Sequence, residues 1–170
     1  QLIGAEIELA SAVGRGSRFS VRLPRVVAPA AAGAPGKERK PAGDLGGARI
    51  AVVEDESVVL EGMKVLLEGW GATVFAASSI QELLERLGLD AGVPHLVIAD
   101  YRLRDGHTGV DAIRALRAHY GTVVPAIIVS GSTTPFNLEE AKALGAHLLL
   151  KPVMPAKLRT LINFKLQETA

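Results

Sequence analysis

The sequence contains no cysteine, few aromatic residues and no long apolar run, and each absence narrows what the chain can be. Without cysteine there is no disulfide framework, no thiolate metal site and no cysteine nucleophile. The absence permits a reducing compartment, and we expect the cytoplasm. No apolar stretch reaches the roughly 18 residues of a membrane-spanning helix, so we expect no direct membrane contact. The net charge of +1 gives no electrostatic reason to expect nucleic acid as a partner.

The start of the chain lacks an initiator methionine and the charged segment of a signal peptide, so we interpret it as a piece of a longer protein. Residues 1–27 carry the pattern of a β-hairpin, because two stretches that alternate polar and apolar residues flank a glycine-rich turn. Residues 28–47 are rich in alanine, glycine and proline and cannot bury a core. We predict that they form a flexible linker.

The apolar periodicity of residues 48–168 alternates between strand and helix patterns. Five short, mainly apolar stretches, at residues 50–53, 72–75, 95–100, 125–129 and 147–150, are each followed by a helical pattern. Such alternation is typical of βαβ units and predicts an α/β fold with a doubly wound parallel sheet. We expect the strand order 2-1-3-4-5, which places strands 1 and 3 side by side. In the third helical pattern we expect Arg114 and Arg117 to point outward.

Side chains capable of chemistry recur at the carboxyl ends of these predicted strands. In chain order they are Glu54, Asp55, Asp100, Ser130 and Lys151. All carboxyl ends of a parallel sheet meet at one edge, where open α/β folds bind their ligands. Three carboxylates gathered there would repel one another by roughly 4 kcal/mol per pair at 4 Å and an effective dielectric constant near 20. A hard divalent cation such as Mg²⁺ would relieve that repulsion.

The residue types at this edge suit phosphoryl transfer. Asp100 can act as a nucleophile that accepts a phosphoryl group. Lys151 can pair with a carboxylate or a phosphoryl oxygen, Ser130 can donate a hydrogen bond to such an oxygen, and Gly131 leaves room beside it. Each residue alone has an ordinary explanation, as a helix N-cap, a turn residue or a surface lysine. Their recurrence at successive strand ends is what favours a site.

The arrangement resembles the receiver domain of two-component response regulators, over residues 48 to about 166. The resemblance rests on Glu54-Asp55, Asp100, Ser130 and Lys151-Pro152, and residues 100–109 are similar to receivers of hybrid histidine kinases. It implies a flavodoxin-like (βα)5 fold and phosphorylation of Asp100 by the phosphohistidine of a histidine kinase or a histidine phosphotransfer protein. The receiver would then act as a conformational switch.

The resemblance also implies roles for single residues. It implies that Mg²⁺ lies among Glu54, Asp55, Asp100 and the backbone carbonyl of Arg102, and that the Lys151-Pro152 peptide bond is cis. From its position two residues after the nucleophile, we expect Arg102 to line the mouth of the site and to tune hydrolysis of the acyl phosphate.

Two features depart from the family pattern. Leu148 stands where receivers usually carry an aromatic residue, three positions before the lysine, which calls the aromatic switch of the family into question. The segment from Ser130 to Lys151 is about one residue short, so we expect a reduced or reshaped fourth helix.

The opening hairpin resembles the last two strands of a histidine-kinase ATP-binding domain. This resemblance implies a hybrid histidine kinase with a C-terminal receiver, in which the parent kinase could bring two copies together. The Asn-bearing helix and the glycine-rich lid motifs of that domain are absent from the sequence. We therefore expect this chain to catalyse at most its own phosphorylation and dephosphorylation.

Two other functions compete with this interpretation. A degenerate receiver could act only as a protein docking module; Leu148 favours it slightly, whereas the intact acidic set opposes it. A free-standing α/β hydrolase or phosphatase fits less well, because the chain has no Asp-x-Asp at Asp100, no Gly-x-x-x-x-Gly-Lys loop and no Gly-x-Ser-x-Gly elbow. The four histidines are scattered, and we interpret them as structural or surface residues.

Overall fold

The computed structural model describes residues 6–12, 14, 16–22, 45–88, 92–132 and 134–168, which belong to two compact units. In the first unit, β1 (Glu6–Ala12) and β2 (Gly16–Arg22) pair in antiparallel fashion, so the predicted hairpin is confirmed. Gly14 and Gly16 in its turn have φ angles of 76° and 86°, a left-handed conformation that glycine adopts without steric cost. Residues 28–44 of the predicted linker lie outside the described residues.

The described residues of the second unit form a five-stranded parallel sheet and five α-helices. The strands are β3 (Arg49–Val53), β4 (Thr73–Ala77), β5 (Leu96–Asp100), β6 (Ala126–Ser130) and β7 (His147–Leu150). The helices are α1 (Ser57–Glu68), α2 (Ile80–Leu87), α3 (Gly109–Tyr120), α4 (Pro135–Ala143) and α5 (Pro155–Gln167), and a short 3₁₀ turn covers Arg104–Gly106. None of these helices is both long and apolar enough to cross a lipid bilayer.

The sheet has the order β4-β3-β5-β6-β7, so the predicted order and the flavodoxin-like fold are confirmed. Strand β3 pairs with β5 in parallel, and Val53 lies opposite Ala99. Residues that follow β3 are therefore neighbours of Asp100, the last residue of β5. The topology thus decides which acidic residues can meet.

The sheet is buried on both faces by helices. On one face, Val97 and Ala99 of β5 belong to an apolar cluster with side chains of α2, α3 and α4. On the other face, Leu96 and Ile98 belong to a second cluster with side chains of α1 and α5. Every residue of β5 is buried, as a near-continuous apolar run predicts for an inner strand of a parallel sheet. Asp100 ends this run at the rim, where polar groups can reach the surface.

Arg117 is not directed outward as predicted. It is half-buried, and its guanidinium donates hydrogen bonds to the carbonyl oxygens of Val124, at 2.8 and 3.1 Å, and Leu144, at 2.8 Å. Burial lowers the pKa of Arg117 from its ordinary value. The prediction is wrong because the loops that precede β6 and β7 each have a carbonyl group outside the sheet. The long arginine side chain reaches both of these carbonyl groups.

Residues 45–47, which fall within the predicted linker, are among the described residues of the second unit. Leu45 lies within the predicted linker range, but its side chain is only 5% exposed and packs in the α1/α5 cluster. Its backbone N–H donates to the carbonyl oxygen of Trp70 at 2.8 Å, and that of Gly47 donates to Gly71 at 2.9 Å. The C-terminal end of the predicted linker therefore packs against the loop between α1 and β4.

Ser79 caps the N-terminus of α2 through its side chain. The hydroxyl oxygen of Ser79 accepts a hydrogen bond from the backbone N–H of Glu82 at 3.2 Å. The carboxylate of Glu82 accepts from Ser78 instead, from its N–H at 2.7 Å and its hydroxyl at 2.6 Å, and also binds Arg86. These hydrogen bonds lower the pKa of Glu82 to about 2.

The lowered pKa of Glu82 predicts a local source of acid sensitivity. The hydrogen bonds to the Glu82 carboxylate stabilise the folded state fully at pH values above the ordinary pKa of 4.5. This contribution is lost as the pH falls toward about 2, because the unfolded chain binds the proton first. Denaturant unfolding between neutral and acidic pH should show a shallower loss of stability in Glu82→Gln than in the parent. Glu85→Gln, one turn further along α2, serves as the control and should keep the parent's slope; equal slopes for all three proteins would contradict the prediction.

Candidate functional site

The structure brings the three predicted acidic residues together at the carboxyl edge of the sheet. Glu54 and Asp55 lie in the loop after β3, and Asp100 lies at the end of the adjacent β5. One carboxylate oxygen from each of the three residues lies within 4.8 Å of the other two. Glu54 is 6% and Asp100 9% exposed, so water screens their charges incompletely. The site therefore concentrates negative charge in a small, partly dry volume.

Lys151 follows β7, an edge strand of the sheet, and its ammonium group lies at the acidic cluster. Its Nζ lies 2.8 Å from Oδ1 of Asp100 and 3.2 Å from Oε2 of Glu54. The backbone N–H of Lys151 donates to the carbonyl oxygen of Ser130 at 2.8 Å, which fixes the backbone of Lys151 beside β6. The peptide bond between Lys151 and Pro152 is cis, as expected. Burial alone would lower the pKa of Lys151, but its hydrogen bonds with Asp100 and Glu54 leave that pKa raised.

Burial dominates the pKa of Glu54. It raises the pKa of the Glu54 carboxyl above its ordinary value, and the charge of Asp100 adds to that effect. A hydrogen bond from the N–H of Glu56 at 3.2 Å and the contact with Lys151 oppose the shift without cancelling it. The argument for a further cation comes from the geometry: three carboxylates lie close together, and the Lys151 ammonium contacts two of them.

A cavity of about 300 Å³ opens directly beside Asp100. The predicted residues that line it are Asp100, Arg102, Ser130, Gly131 and Lys151. Ser130 is 3% exposed; its hydroxyl donates to the carbonyl oxygen of Ser132 at 2.8 Å and accepts from the N–H of Ser132 at 3.2 Å. An added Cβ on Gly131 would meet nothing within 4 Å, so the space beside Ser130 is open. The cavity can admit a small anionic group.

The family model for the response regulator receiver domain matches residues 50–163. The chain is a receiver domain of this family. Among solved structures, it is similar to a receiver domain protein from Clostridium thermocellum, at 31% identity and a TM-score of 0.64, over 72% of this chain and 96% of that one. It is also similar to a CheY-like receiver protein from Methanospirillum hungatei, at 27% identity and a TM-score of 0.63, over 71% of this chain and 94% of that one.

Curated relatives of the receiver are regulators of greater length. The chain is 28% identical over 114 residues to the phyllosphere-induced regulator PhyR of Methylorubrum extorquens, which covers 67% of this chain and 42% of PhyR. It is 35% identical over 106 residues to the KDP operon transcriptional regulatory protein KdpE of Escherichia coli, covering 61% of this chain and 44% of KdpE. The chain therefore spans less than half the length of these relatives.

The acidic residues of this receiver fit the Mg²⁺ that its family implies. Their donors are hard carboxylate oxygens, and three of these lie close enough together to share one ion. Asp55 and Asp100 stand beside the buried Glu54, so a bound cation would offset the mutual repulsion of the three carboxylates. The backbone N–H of Arg102 donates to Oδ2 of Asp100 at 3.2 Å, so the loop that carries the predicted carbonyl ligand begins at the site.

A second arginine, which sequence reasoning missed, reaches the acidic cluster. Arg104 donates from Nη2 to the carbonyl oxygen of Asp55 at 2.8 Å, and its Nε lies 3.4 Å from Oδ2 of Asp55. Arg102, the predicted site residue of this loop, has an exposed side chain at the edge of the cavity. Both arginines stand in the same polar loop, and nothing in the sequence distinguishes the one that contacts Asp55.

Tyr101 is a further residue that sequence reasoning missed. Its ring is buried beside α4, near the face of β7 that carries Leu148, and its hydroxyl donates to Oε2 of Glu140 at 2.8 Å. Burial raises the pKa of the Tyr101 phenol, and the acceptor Glu140 adds to that rise. Because Tyr101 follows Asp100 directly, this hydrogen bond connects the carboxyl end of β5 to α4.

We expect Tyr101→Phe to destabilise the receiver by about 1–2 kcal/mol, because it removes a hydrogen bond to a charged acceptor and leaves that acceptor partly buried. Denaturant unfolding of Tyr101→Phe, Glu140→Ala and the double variant forms a mutant cycle that isolates the coupling, because alanine offers no acceptor. Glu139→Ala, at an exposed neighbour in α4, provides the control and should be close to neutral. A coupling energy of zero would show that the hydrogen bond contributes nothing to stability.

Proposed function

We propose that Asp100 accepts a phosphoryl group from a phosphohistidine in the presence of Mg²⁺, and that this receiver serves as a conformational switch in a two-component phosphorelay. The donor is a histidine kinase or a histidine phosphotransfer protein. The observation that supports the proposal most strongly is the position of the Lys151 ammonium, 2.8 Å from Asp100 and 3.2 Å from Glu54, within a group of three carboxylates.

In this mechanism a carboxylate oxygen of Asp100 attacks the phosphorus atom. The bond from phosphorus to the donor imidazole nitrogen breaks, and its electron pair returns to the imidazole. Lys151, held in place by Glu54, offers its protons to the oxygens of the transferring group. Ser130 lies across the cavity and can redirect its hydroxyl from Ser132 toward a phosphoryl oxygen. Mg²⁺, when held by Glu54, Asp55, Asp100 and the backbone carbonyl of Arg102, would further neutralise the charge on those oxygens.

The phosphorylated receiver would reset when water attacks the same phosphorus atom. Ser130 and Gly131 precede α4, so movement of this loop toward a phosphoryl group would be transmitted to α4. Two arrangements of this segment, one for each state of Asp100, would form the switch. Arg102 lines the cavity mouth and is placed to influence the entry of that water.

We further propose that the chain comes from a cytoplasmic hybrid histidine kinase, whose ATP-binding domain ends in the hairpin of β1 and β2. The antiparallel hairpin precedes the receiver in the chain, as this domain order requires. Dimerisation through the parent kinase would bring two receivers together. The full-length parent should therefore autophosphorylate on histidine with ATP and pass the phosphoryl group to Asp100. A parent without ATP-dependent autophosphorylation would contradict the hybrid origin and leave the receiver's role intact.

The switch proposal is tested with a small phosphodonor and intact-mass measurement. Incubated with acetyl phosphate and Mg²⁺, the chain should gain the mass of one phosphoryl group, and an excess of chelator should prevent the gain. Calorimetry with Mg²⁺ alone separates the competing docking-module function, because docking does not need a metal. If the chain gained no phosphoryl group and bound no Mg²⁺ under conditions in which another receiver does both, the docking-module function would be favoured.

A further inference from the structure

Arg104 is held beside the acidic cluster by a closed loop. The 3₁₀ turn Arg104–Gly106 lies between β5 and α3, and the N–H of Leu103 donates to the carbonyl oxygen of His107 at 3.0 Å. The N–H of His107 donates back to Arg104 at 3.1 Å. Within the turn Asp105 has a φ angle of 58°, in the left-handed region that non-glycine residues seldom adopt. This turn fixes the backbone from which the Arg104 side chain extends toward Asp55.

The side chains of Lys151 and Arg104 contact different carboxylates of the acidic cluster. Lys151 contacts Asp100 and Glu54, whereas Arg104 contacts Asp55 through both its backbone carbonyl and its carboxylate. Their exposures differ: the Lys151 side chain is 34% exposed and that of Arg104 is 72% exposed. An exposed ion pair is weak and readily displaced. Arg104 is therefore the cation that an incoming metal ion can move aside.

We propose that Arg104 competes with a divalent cation for the carboxylate of Asp55 and thereby sets the Mg²⁺ affinity of the site. The inference rests on the proposed function, because it assumes that Asp55 is a metal ligand. An ion that binds Asp55 must displace the Arg104 Nε from Oδ2 or accept a positive charge next to it. The hydrogen bond to the carbonyl oxygen of Asp55 can persist, so the displaced guanidinium remains nearby and can return when the ion leaves.

Isothermal calorimetry with Mg²⁺ tests the proposal without any need for phosphorylation. Removal of an exposed competing charge in Arg104→Ala should tighten Mg²⁺ binding by about twofold to fivefold. Arg114→Ala, which removes the same charge from the exposed face of α3, should leave the affinity at the parent value. The gap between the parent and Arg104→Ala should narrow at high ionic strength, because salt screens an exposed contact. Arg104→Gln repeats the test with a side chain of similar length.

The outcomes separate this inference from the proposed function. Asp55→Asn should lose most of the Mg²⁺ affinity. If the parent binds no Mg²⁺, the proposed metal site is wrong and Arg104 has nothing to compete with. If the parent binds Mg²⁺ and both Arg104 variants keep its dissociation constant, the competition is disproved while the metal site stands. Equal tightening in Arg104→Ala and Arg114→Ala would also overturn it, because the effect would then come from net charge alone.

Discussion

Asp100→Asn should reduce phosphoryl incorporation at least about a hundredfold, equivalent to roughly 2.7 kcal/mol in the activation barrier. The substitution keeps the shape of the side chain but replaces a carboxylate by an amide, which is a far poorer nucleophile and metal ligand. Lys151 keeps its contact with Glu54, so the surrounding site should remain assembled. Incorporation is measured by intact mass after incubation with acetyl phosphate and Mg²⁺.

The matched control for this prediction is Asp105→Asn. Asp105 is exposed, stands five residues after Asp100 and adopts a left-handed conformation that asparagine tolerates well. It should incorporate phosphate at the parent rate. If Asp100→Asn still gained one phosphoryl group at a rate near that of the parent, another residue would be the acceptor.

Gly109→Ala should destabilise the receiver by about 1–3 kcal/mol, the range for forcing extra volume into a packed interior. A Cβ on Gly109 would overlap the carbonyl oxygen of Asp100 and lie 3.0 Å from the Cβ of Ala99. Gly109 is buried, and its N–H donates to the carbonyl oxygen of Tyr101 at 3.0 Å, so neither the strand nor α3 can yield freely. The shift needed to relieve the overlap would displace Asp100 itself.

Gly62→Ala is the control for Gly109→Ala. Gly62 lies within α1, where an added Cβ would meet nothing within 4 Å. In that helix interior alanine should stabilise the protein by about 0.5–1 kcal/mol. Thermal and denaturant unfolding give both free energies, and Mg²⁺ titration of Gly109→Ala reports whether Asp100 has moved. A Gly109→Ala protein as stable as Gly62→Ala would show that the contact of α3 with β5 is looser than described.

The strands and the acidic cluster could be predicted from sequence because both depend on local patterns. An inner parallel strand such as β5 must be apolar throughout, so the change to Asp100 marks its end without knowledge of the fold. The expected strand order is one of two that are common in doubly wound sheets, and this order brings Glu54 and Asp55 to Asp100.

The remaining contacts depend on chain segments that are distant in sequence. The Tyr101–Glu140 hydrogen bond spans 39 residues and the Arg104–Asp55 hydrogen bond 49. Which of Arg102 and Arg104 faces Asp55 is decided by the turn at Asp105, whose left-handed conformation a sequence pattern does not specify. The prediction for Arg117 is wrong for the same reason. Its two acceptor carbonyl groups lie in the loops before β6 and β7, and only the folded chain brings these loops together.

Chemical trapping of the phosphorylated residue tests the central claim most directly. The chain is phosphorylated with acetyl phosphate and Mg²⁺ and then treated with borohydride, which reduces an acyl phosphate on aspartate to homoserine. Peptide sequencing by mass spectrometry locates the modified position. We expect homoserine at position 100 alone and its loss when Mg²⁺ is chelated. Homoserine at Asp55 or Asp105, or an incorporated phosphate that leaves Asp100 unmodified, would contradict it.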